Sequence, residues 1–187
     1  PPISKNLAFI EKEESSDSDD DSLGAIDKMY TPDFKPSYFV YTDGACAQNG
    51  TNDACAGVGI YFDIGDTRNK AIKIEGKQTN NVAELSALIY VYDIIRQDLL
   101  DDLKVVIVTD SQYSIKCVTT YGLKCHQEKW CKKIPNKKLV KKAFNLYREH
   151  DNIRFMHVAA HTNNMDQHSI GNREADRLAN LSIGRNV

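Results

Sequence analysis

Two apolar runs that both end in Thr-Asp constrain the fold of this chain most. The first is YFVYTD at residues 38–43, and the second is KVVIVTD at residues 104–110. A helical pattern separates them, and a strand reached through a helix is most simply parallel to the strand before it. Neighbouring strands lie about 5 Å apart, so we expect Asp43 and Asp110 to meet at one edge of the sheet. Two like charges there require a shared proton or a cation between them.

The order of the remaining elements predicts an α/β fold. Residues 56–63 and 70–76 are rich in branched and aromatic side chains and are joined by short turns, which favours an antiparallel meander with the first strand. The segment VAELSALIYVYDIIRQDL has helical spacing, with Asn80 or Asn81 as the expected cap. Ser111 is the expected cap of the next helix. NKKLVKKAFNLYREH and GNREADRLANLSIG are predicted helices, and IRFMHVAAH is a predicted strand. We predict a five-stranded mixed sheet, three antiparallel strands and then parallel ones, flanked by helices.

The first 36 residues differ in composition from the rest of the chain. They hold 4 lysines against 9 acidic residues, a net charge of −5, whereas the remaining 151 residues carry +3. The stretch EKEESSDSDDDS at residues 11–22 cannot bury enough apolar surface to offset the entropy of ordering. We therefore predict an acidic, disordered tail or linker over residues 1–36 and one folded domain over residues 37–187. An acidic arm that regulates the domain or mimics nucleic acid is the alternative.

A lysine-rich stretch runs from Lys116 to Lys142. It contains 9 lysines and one acidic residue, Glu128, a local excess of +8. Such an excess attracts a polyanion, although a solvated helix face is the competing interpretation. The opposite charges of Asp17 and residues 19–21 suggest that the acidic segment folds back on this stretch and competes with a polyanion at low salt.

The cysteines indicate a reducing compartment. There are 5 of them, an odd number without a C-x-x-C pair, and no secretory leader precedes them. We therefore expect a cytoplasmic or nuclear protein. Zinc binding by Cys125, His126 and Cys131 is a weak alternative, because the spacing matches no common site. No apolar run reaches membrane-spanning length, so we expect no membrane association, and a monomer is the default expectation.

Two further acids stand at predicted helix starts. Glu84 falls in the first turn of the long helix, and Asp176 falls in GNREADRL. Taken alone, Glu84 is explained as an acid that complements the helix dipole, and Asp176 as a surface acid. Together with Asp43 and Asp110, however, they form a set of carboxylates that suits hard, oxygen-liganded divalent cations.

Five segments in a fixed order resemble type 1 ribonuclease H. They are YTDGAC, QTNNVAE, VTDSQYS, FMHVAAH and GNREADRLA, spread over most of the chain from Tyr38 to Gly184. The resemblance implies an RNase H-like fold and an endonuclease that hydrolyses the RNA strand of RNA/DNA hybrids. It further implies two Mg²⁺ ions, with Mn²⁺ as a substitute, and products with 5′-phosphate and 3′-hydroxyl ends.

The same resemblance assigns catalytic roles to five residues. The metal ligands would be Asp43, Glu84, Asp110 and Asp176. A loop histidine, His161, would assist proton transfer or product release, as a group with a pKa near working pH can do. His168, seven residues further along, is the rival for this role.

Substrate contacts follow from the resemblance as well. The residues that contact the minor groove and its 2′-hydroxyl groups would be Cys46, Asn49, Asn80 and Asn81. Burial as a small hydrophobic residue is the alternative explanation for Cys46. A pocket for a phosphate of the DNA strand would contain Lys77, Thr79 and Asn136.

A basic, aromatic-lined channel would hold the rest of the DNA strand. Tyr121 takes the place of a tryptophan along the deoxyribose, and Trp130 either replaces the lost aromatic surface or has a core or lid role. Lys124 and Lys129 would belong to a reduced basic handle, together with Lys132 and Lys133.

Two alternatives of other classes remain open. One is a catalytically inactive domain of the same fold that serves as a scaffold or binding module. It is expected to lose one or more acids, yet all four positions are acidic here. The other is a different nuclease or a transposase of the wider superfamily, which shares the metal chemistry but usually lacks the GNREAD helix.

Overall fold

The computed structural model describes residues 28–160 and 162–185. The elements in chain order are β1 (Tyr38–Ala47), β2 (Cys55–Tyr61), β3 (Lys70–Lys73), α1 (Asn80–Leu100), β4 (Val105–Thr109), α2 (Gln112–Val118), α3 (Thr120–Gln127), α4 (Lys137–Tyr147), β5 (Ile153–His157) and α5 (Gln167–Ser182). Within the described ranges, no helix combines the length and apolarity needed to cross a membrane.

The sheet has five strands in the order β3-β2-β1-β4-β5. β1 pairs with β2, and β2 with β3, in antiparallel fashion, whereas β1 pairs with β4, and β4 with β5, in parallel. Tyr41 lies opposite Val108 in the parallel register of β1 and β4. The predicted mixed sheet and its central parallel pair are therefore confirmed.

The core lies on both faces of this sheet. On one face, α1 buries Leu85, Leu88 and Ile95 completely against the strands. Each such side chain stabilises the fold by roughly 1.5–3 kcal/mol. On the other face, α5 covers a smaller apolar cluster that includes Tyr41 and Val108. Every residue of β4 is buried. The continuous apolar run in its sequence predicted a strand that is buried on both faces.

Two helix starts differ from the sequence prediction. Thr79, not Asn80 or Asn81, caps α1, because its backbone is extended and its side chain accepts a hydrogen bond from the Val82 amide at 3.3 Å. α5 begins four residues before the predicted GNREAD start, because the Asp166 side chain accepts hydrogen bonds from the amides of His168 and Ser169 and caps the helix. Ser111 caps α2 as expected.

Residues that precede the predicted domain boundary at residue 37 contact the sheet. Met29 forms a parallel bridge with Phe155 of β5. The Phe155 amide donates to the Lys28 carbonyl at 2.7 Å, and the Tyr30 amide donates to the Phe155 carbonyl at 2.8 Å. The Arg154 guanidinium lies 4.5 Å from the ring centre of Phe34. β5 is the last strand of the sheet, and residues 28–30 cover its unpaired edge. The acidic stretch 11–22 lies outside the described residues, so its predicted disorder stays a prediction.

We expect removal of residues 1–36 to lower the free energy of unfolding by on the order of 2 kcal/mol relative to removal of residues 1–27. The longer deletion loses the backbone hydrogen bonds to β5 and the apolar contacts of Tyr30 and Phe34. Urea denaturation of the two truncated proteins measures this difference. If the two truncated proteins have equal free energies of unfolding, residues 28–36 do not stabilise the domain, and the predicted boundary at residue 37 is supported.

Candidate active site

Three acidic side chains converge at one edge of the sheet. Asp43 lies on β1, Asp110 directly follows β4, and Glu84 lies near the start of α1. One carboxylate oxygen from each residue lies within 4.8 Å of the other two. The predicted meeting of Asp43 and Asp110 is confirmed, and it follows from the parallel pairing of β1 with β4.

Asp43 does not end its strand, which corrects one detail of the sequence interpretation. β1 continues to Ala47 through antiparallel pairing with β2, in which Asp43 lies opposite Gly59. The parallel register with β4, in contrast, extends only to Tyr41. Asp43 therefore lies where β1 loses one of its two neighbours, and its side chain is at the edge of the parallel part of the sheet.

Glu84 reaches this edge because α1 crosses β1 at a glycine. A Cβ atom on Gly44 would lie 2.4 Å from the Glu84 backbone nitrogen and 2.6 Å from the Ala83 carbonyl carbon. Real Cβ atoms do not approach backbone so closely, so any larger residue at position 44 would displace the first turn of α1. The absence of a side chain at Gly44 thus sets the position of Glu84.

Asp176 joins the cluster through a second close approach. A Cβ atom on Gly59 would lie 1.9 Å from the Ala175 carbonyl oxygen, so α5 rests directly on β2 beside Asp43. The Asp176 carboxylate is close enough for its charge to raise the pKa of Asp43 and of Glu84. Asp176 also accepts from the Asn180 amide at 2.9 Å. The structure therefore places all four predicted acids together, with Asp176 beside the group of three.

The mutual repulsion of the buried carboxylates in this cluster favours the binding of a cation. Burial, and then the charges of Asp110 and Asp176, raise the pKa of Asp43 to about 8. Burial, and then the charges of Asp43 and Asp110, raise the pKa of Glu84 well above its usual range. Within the described residues, Glu84 Oε2 is buried without a hydrogen-bond partner. This unpaired Glu84 oxygen lies beside the carboxylates of Asp43 and Asp110. Such a group of carboxylate oxygens is a ligand set that suits a hard divalent cation such as Mg²⁺.

Asn172 is a site residue that the sequence interpretation missed. Its side-chain nitrogen donates to Asp110 Oδ2 at 3.0 Å, and the residue is only 4% exposed. If the Asn172 amide were flipped, its oxygen would face the Asp110 carboxylate oxygen, and neither atom could donate a hydrogen. The Asp110 carboxylate therefore favours the orientation in which the Asn172 nitrogen faces it. Asn172 precedes Asp176 by four residues, one helical turn on the same face of α5. That spacing within GNREAD is the signal that could have identified it.

The histidines divide into three cases. His161 lies outside the described residues, so its catalytic role stays a prediction. His168 lies in the first turn of α5, with Nδ1 3.2 Å from the Tyr41 hydroxyl and its ring 4.7 Å from that of Phe39. Burial lowers the pKa of His168. His157, which the sequence interpretation did not single out, lies with Nε2 3.2 Å from the Asp110 carbonyl oxygen.

Several predicted substrate contacts lie together at the start of α1 and α4. Lys77 donates to the Asn136 side chain at 2.9 Å, so two members of the predicted phosphate pocket meet although 59 residues separate them in sequence. Thr79, the third member, caps α1. The Asn49 side chain accepts from the Asn80 amide at 3.3 Å. The structure brings these pairs together, and their roles in binding stay predictions.

The remaining predicted contacts differ in exposure. Trp130 is 7% exposed, and its ring packs 6.2 Å from that of Phe144, which is the core placement that the sequence left open. The other residues are half-buried or exposed: Asn81, Cys46 and Tyr121 are half-buried, and Lys124 and Lys129 are exposed.

The alternative zinc site has no support in the described part of the chain. Cys125 is buried and Cys131 is exposed, while His126 is in contact with the guanidinium of Arg148. Among residues 28–160 and 162–185, the side chains placed closely enough to hold a metal ion together are those of Asp43, Glu84 and Asp110.

Comparisons with known proteins agree with this geometry. The chain matches the RNase H family model over residues 35–183. It is 34% identical over 143 residues to a probable ribonuclease H of Acanthamoeba polyphaga mimivirus, covering 73% of this chain and 62% of that protein. It is also 34% identical over 147 residues to ribonuclease H1 of Mus musculus, covering 76% of this chain and 49% of that protein. The chain thus spans about half to three fifths of these relatives.

Solved structures share the architecture. The crystal structure of LC11-RNase H1 in complex with an RNA/DNA hybrid is 27% identical, with a TM-score of 0.53, and the match covers 78% of this chain and 96% of that one. The solution structure of the PFV RNase H domain has a TM-score of 0.61 at 20% identity, covering 79% of this chain and 94% of that one. At 20% identity, the similarity to the PFV RNase H domain supports only the assignment of the fold.

We expect the metal-free protein to lose stability as pH rises from about 4 to about 8. The pKa of Asp43 is about 8 in the folded protein and about 4 in an unfolded chain. In this window the folded state therefore retains a proton that the unfolded state has released, and stability falls with pH. Asp43→Asn should flatten the dependence, and added Mg²⁺ should restore stability at high pH by binding the ionised form.

Urea denaturation between pH 5 and pH 9, with chelator and then with Mg²⁺, measures both effects. Asp53→Asn, at an exposed position, is the matched control and should behave as the unaltered protein. If Asp43→Asn and the unaltered protein show parallel pH profiles, the raised pKa of Asp43 is refuted.

We expect Asn172→Ala to lower catalytic activity and apparent Mg²⁺ affinity by roughly 10- to 100-fold. Partners that orient a metal ligand typically have effects of this size, and Asn172 holds Asp110 at 3.0 Å. A titration of activity and of Mg²⁺ binding by calorimetry separates this role from a loss of folding. Asn52→Ala, at an exposed position, is the control, and an unchanged Mg²⁺ dependence in Asn172→Ala would exclude the positioning role.

Proposed function

Because the chain belongs to the RNase H family, we propose that it is a ribonuclease that hydrolyses the RNA strand of RNA/DNA hybrids. The observation that carries the proposal is the convergence of Asp43, Glu84 and Asp110 within 4.8 Å, with the charge of Asp176 acting on Asp43. A likeness to a protein crystallised with an RNA/DNA hybrid supports the substrate class.

The proposed mechanism relies on four ligands for two Mg²⁺ ions. Asp43, Glu84, Asp110 and Asp176 would hold them, since these carboxylates are mutually repulsive without a cation. When bound, such a pair of ions activates the attacking water and neutralises charge on the leaving 3′ oxygen, which yields 5′-phosphate and 3′-hydroxyl ends. The buried position of Asp43 and Glu84 lowers the local dielectric response and strengthens every interaction with the reacting phosphate.

The chain's own residues orient these ligands. Asn172 donates to one oxygen of Asp110, so the other oxygen of that carboxylate remains available. His157 contacts the Asp110 carbonyl and restrains the backbone at the end of β4. We further propose that His161, which follows β5 by four residues in the sequence, transfers a proton at the leaving oxygen, because histidine ordinarily titrates near working pH.

Discrimination of the hybrid is proposed to rest on two residue pairs. Asn49 and Asn80, joined by a hydrogen bond, offer amide groups that can bond the 2′-hydroxyl of the RNA strand. Lys77 and Asn136, also joined, would bind a phosphate of the DNA strand. Asn136 has a left-handed backbone with φ 51°, a conformation that asparagine tolerates better than most residues.

The decisive experiment is cleavage of an end-labelled RNA strand in a DNA hybrid with Mg²⁺. We expect the full chain to cut only the RNA strand, and Asp110→Asn to lose about 10³-fold in rate, or ~4 kcal/mol of transition-state stabilisation. Asp53→Asn is the matched control, and an all-DNA duplex is the substrate control.

Binding of the same hybrid, measured by fluorescence anisotropy, distinguishes the alternatives. If the full chain and Asp110→Asn both bind the hybrid and neither cuts it, the domain is a binding module and the nuclease proposal fails. If the all-DNA duplex is cut as readily, the proposed substrate class fails while the metal chemistry stands.

A further inference from the structure

A basic cavity of about 620 Å³ lies between the end of α3 and the second half of α4. We call it the α3–α4 pocket, and its charged and aromatic lining consists of His126, Lys129, Trp130, Lys141, Arg148 and Glu149. Arg148 follows Asn136 by 12 residues, about 18 Å along the helix axis. The pocket is thus well separated from the proposed phosphate pocket at the start of α4.

The charge of the α3–α4 pocket favours an anion. Three permanent cations line it against one carboxylate, that of Glu149, which is paired with Arg148 at 2.6 Å. The Arg148 guanidinium also donates to the His126 ring at 2.8 Å. Lys129 and Lys141 take part in none of the ion pairs between described residues. Two ammonium groups therefore remain for an incoming anion.

Lys129 occupies a backbone position that favours glycine. The Trp130 amide donates to the Cys125 carbonyl and the Lys129 amide donates to the His126 carbonyl, the pattern that ends a helix with a left-handed residue. Lys129 is that residue, with φ 54°. A side chain there costs roughly 1–2 kcal/mol relative to glycine, and the adjacent Trp130 is left-handed as well, with φ 59°.

The described chain begins beside this pocket. The Lys28 ammonium donates to the carbonyl of His150, two residues after Arg148, and the charge of Glu149 acts on Lys28. The nearest acidic run, at residues 19–21, precedes Lys28 by 7 to 9 residues, which spans at most about 30 Å when extended. Such a short tether holds the run near the pocket at an effective concentration in the millimolar range.

We propose that the α3–α4 pocket is the docking site for the acidic segment 17–21 of this same chain. Its carboxylates would pair with Lys129 and Lys141, whose charges the described fold leaves without an acidic partner. Docking would neutralise this part of the lysine-rich surface, so the segment would compete with nucleic acid phosphates for it. The proposal concerns the free protein and holds whether or not the domain is a nuclease.

Trp130 provides a site-specific reporter, because the chain contains 1 tryptophan. Its ring lines the pocket, and its Nε1 has no hydrogen-bond partner among the described residues. We therefore expect the indole N–H signal in a ¹H–¹⁵N NMR spectrum to shift when a charge is placed in the pocket. No cleavage assay is needed to read it.

The experiment compares the full chain with a variant in which Asp17, Asp19, Asp20 and Asp21 are changed to Asn. At low salt we expect the Trp130 indole signal to differ between the two proteins, and at about 0.5 M salt to coincide, because salt screens exposed charges beyond a few ångströms. Lys141→Gln should remove most of the low-salt difference. Lys73→Gln, an exposed charge-matched change on β3, should leave it intact.

A single-stranded oligothymidylate titrated without metal supplies the second readout. If the segment docks, the four-Asn variant should bind it roughly threefold more tightly at low salt, and Lys141→Gln should abolish that gain whereas Lys73→Gln should not. Coincident Trp130 signals at low salt would overturn the proposal. If the oligonucleotide then shifts Trp130 equally in both proteins, the pocket is a nucleic-acid site instead.

Discussion

The parallel pairing of β1 with β4 is the constraint on which the rest of this structure depends. It places Asp43 and Asp110 at one sheet edge, where two carboxylates repel each other in surroundings that solvate them poorly. Burial raises the pKa of Asp43 and of Glu84, so the folded protein holds protons or cations that an isolated strand would not. The site therefore costs stability in the absence of a ligand, as functional sites commonly do.

Close contacts between helices and strands complete the cluster. α1 crosses β1 at Gly44, and α5 rests on β2 at Gly59, so Glu84 and Asp176 approach Asp43 from opposite faces of the sheet. A Cβ atom at either glycine would meet backbone, which cannot move aside as the end of a flexible side chain can. The geometry of the four acids is thus a property of helix packing as much as of the acids themselves.

The charge of the molecule is distributed unevenly around this site. The acids gather at the sheet edge, whereas the lysine-rich stretch runs from the end of α2 through α3 to the exposed side of α4. α4 buries Val140, Ala143, Phe144 and Tyr147 and leaves Lys138, Lys141 and Lys142 exposed. One amphipathic helix therefore contributes to the core and to the positive surface at once. The same helix links the predicted phosphate pocket at Asn136 to the α3–α4 pocket at Arg148.

The sequence by itself determined the five-stranded mixed sheet and the meeting of Asp43 with Asp110, because strand periodicity and the parallel crossover leave few alternatives. It also identified Glu84 and Asp176 through the segments that resemble ribonuclease H. Only the tertiary structure decided the contact of Asn172 with Asp110 and the burial of Trp130. It likewise decided the pairing of residues 28–30 with β5. Those features depend on the distance between elements that are far apart in the sequence. Side-chain packing sets this distance, and no local sequence pattern encodes it.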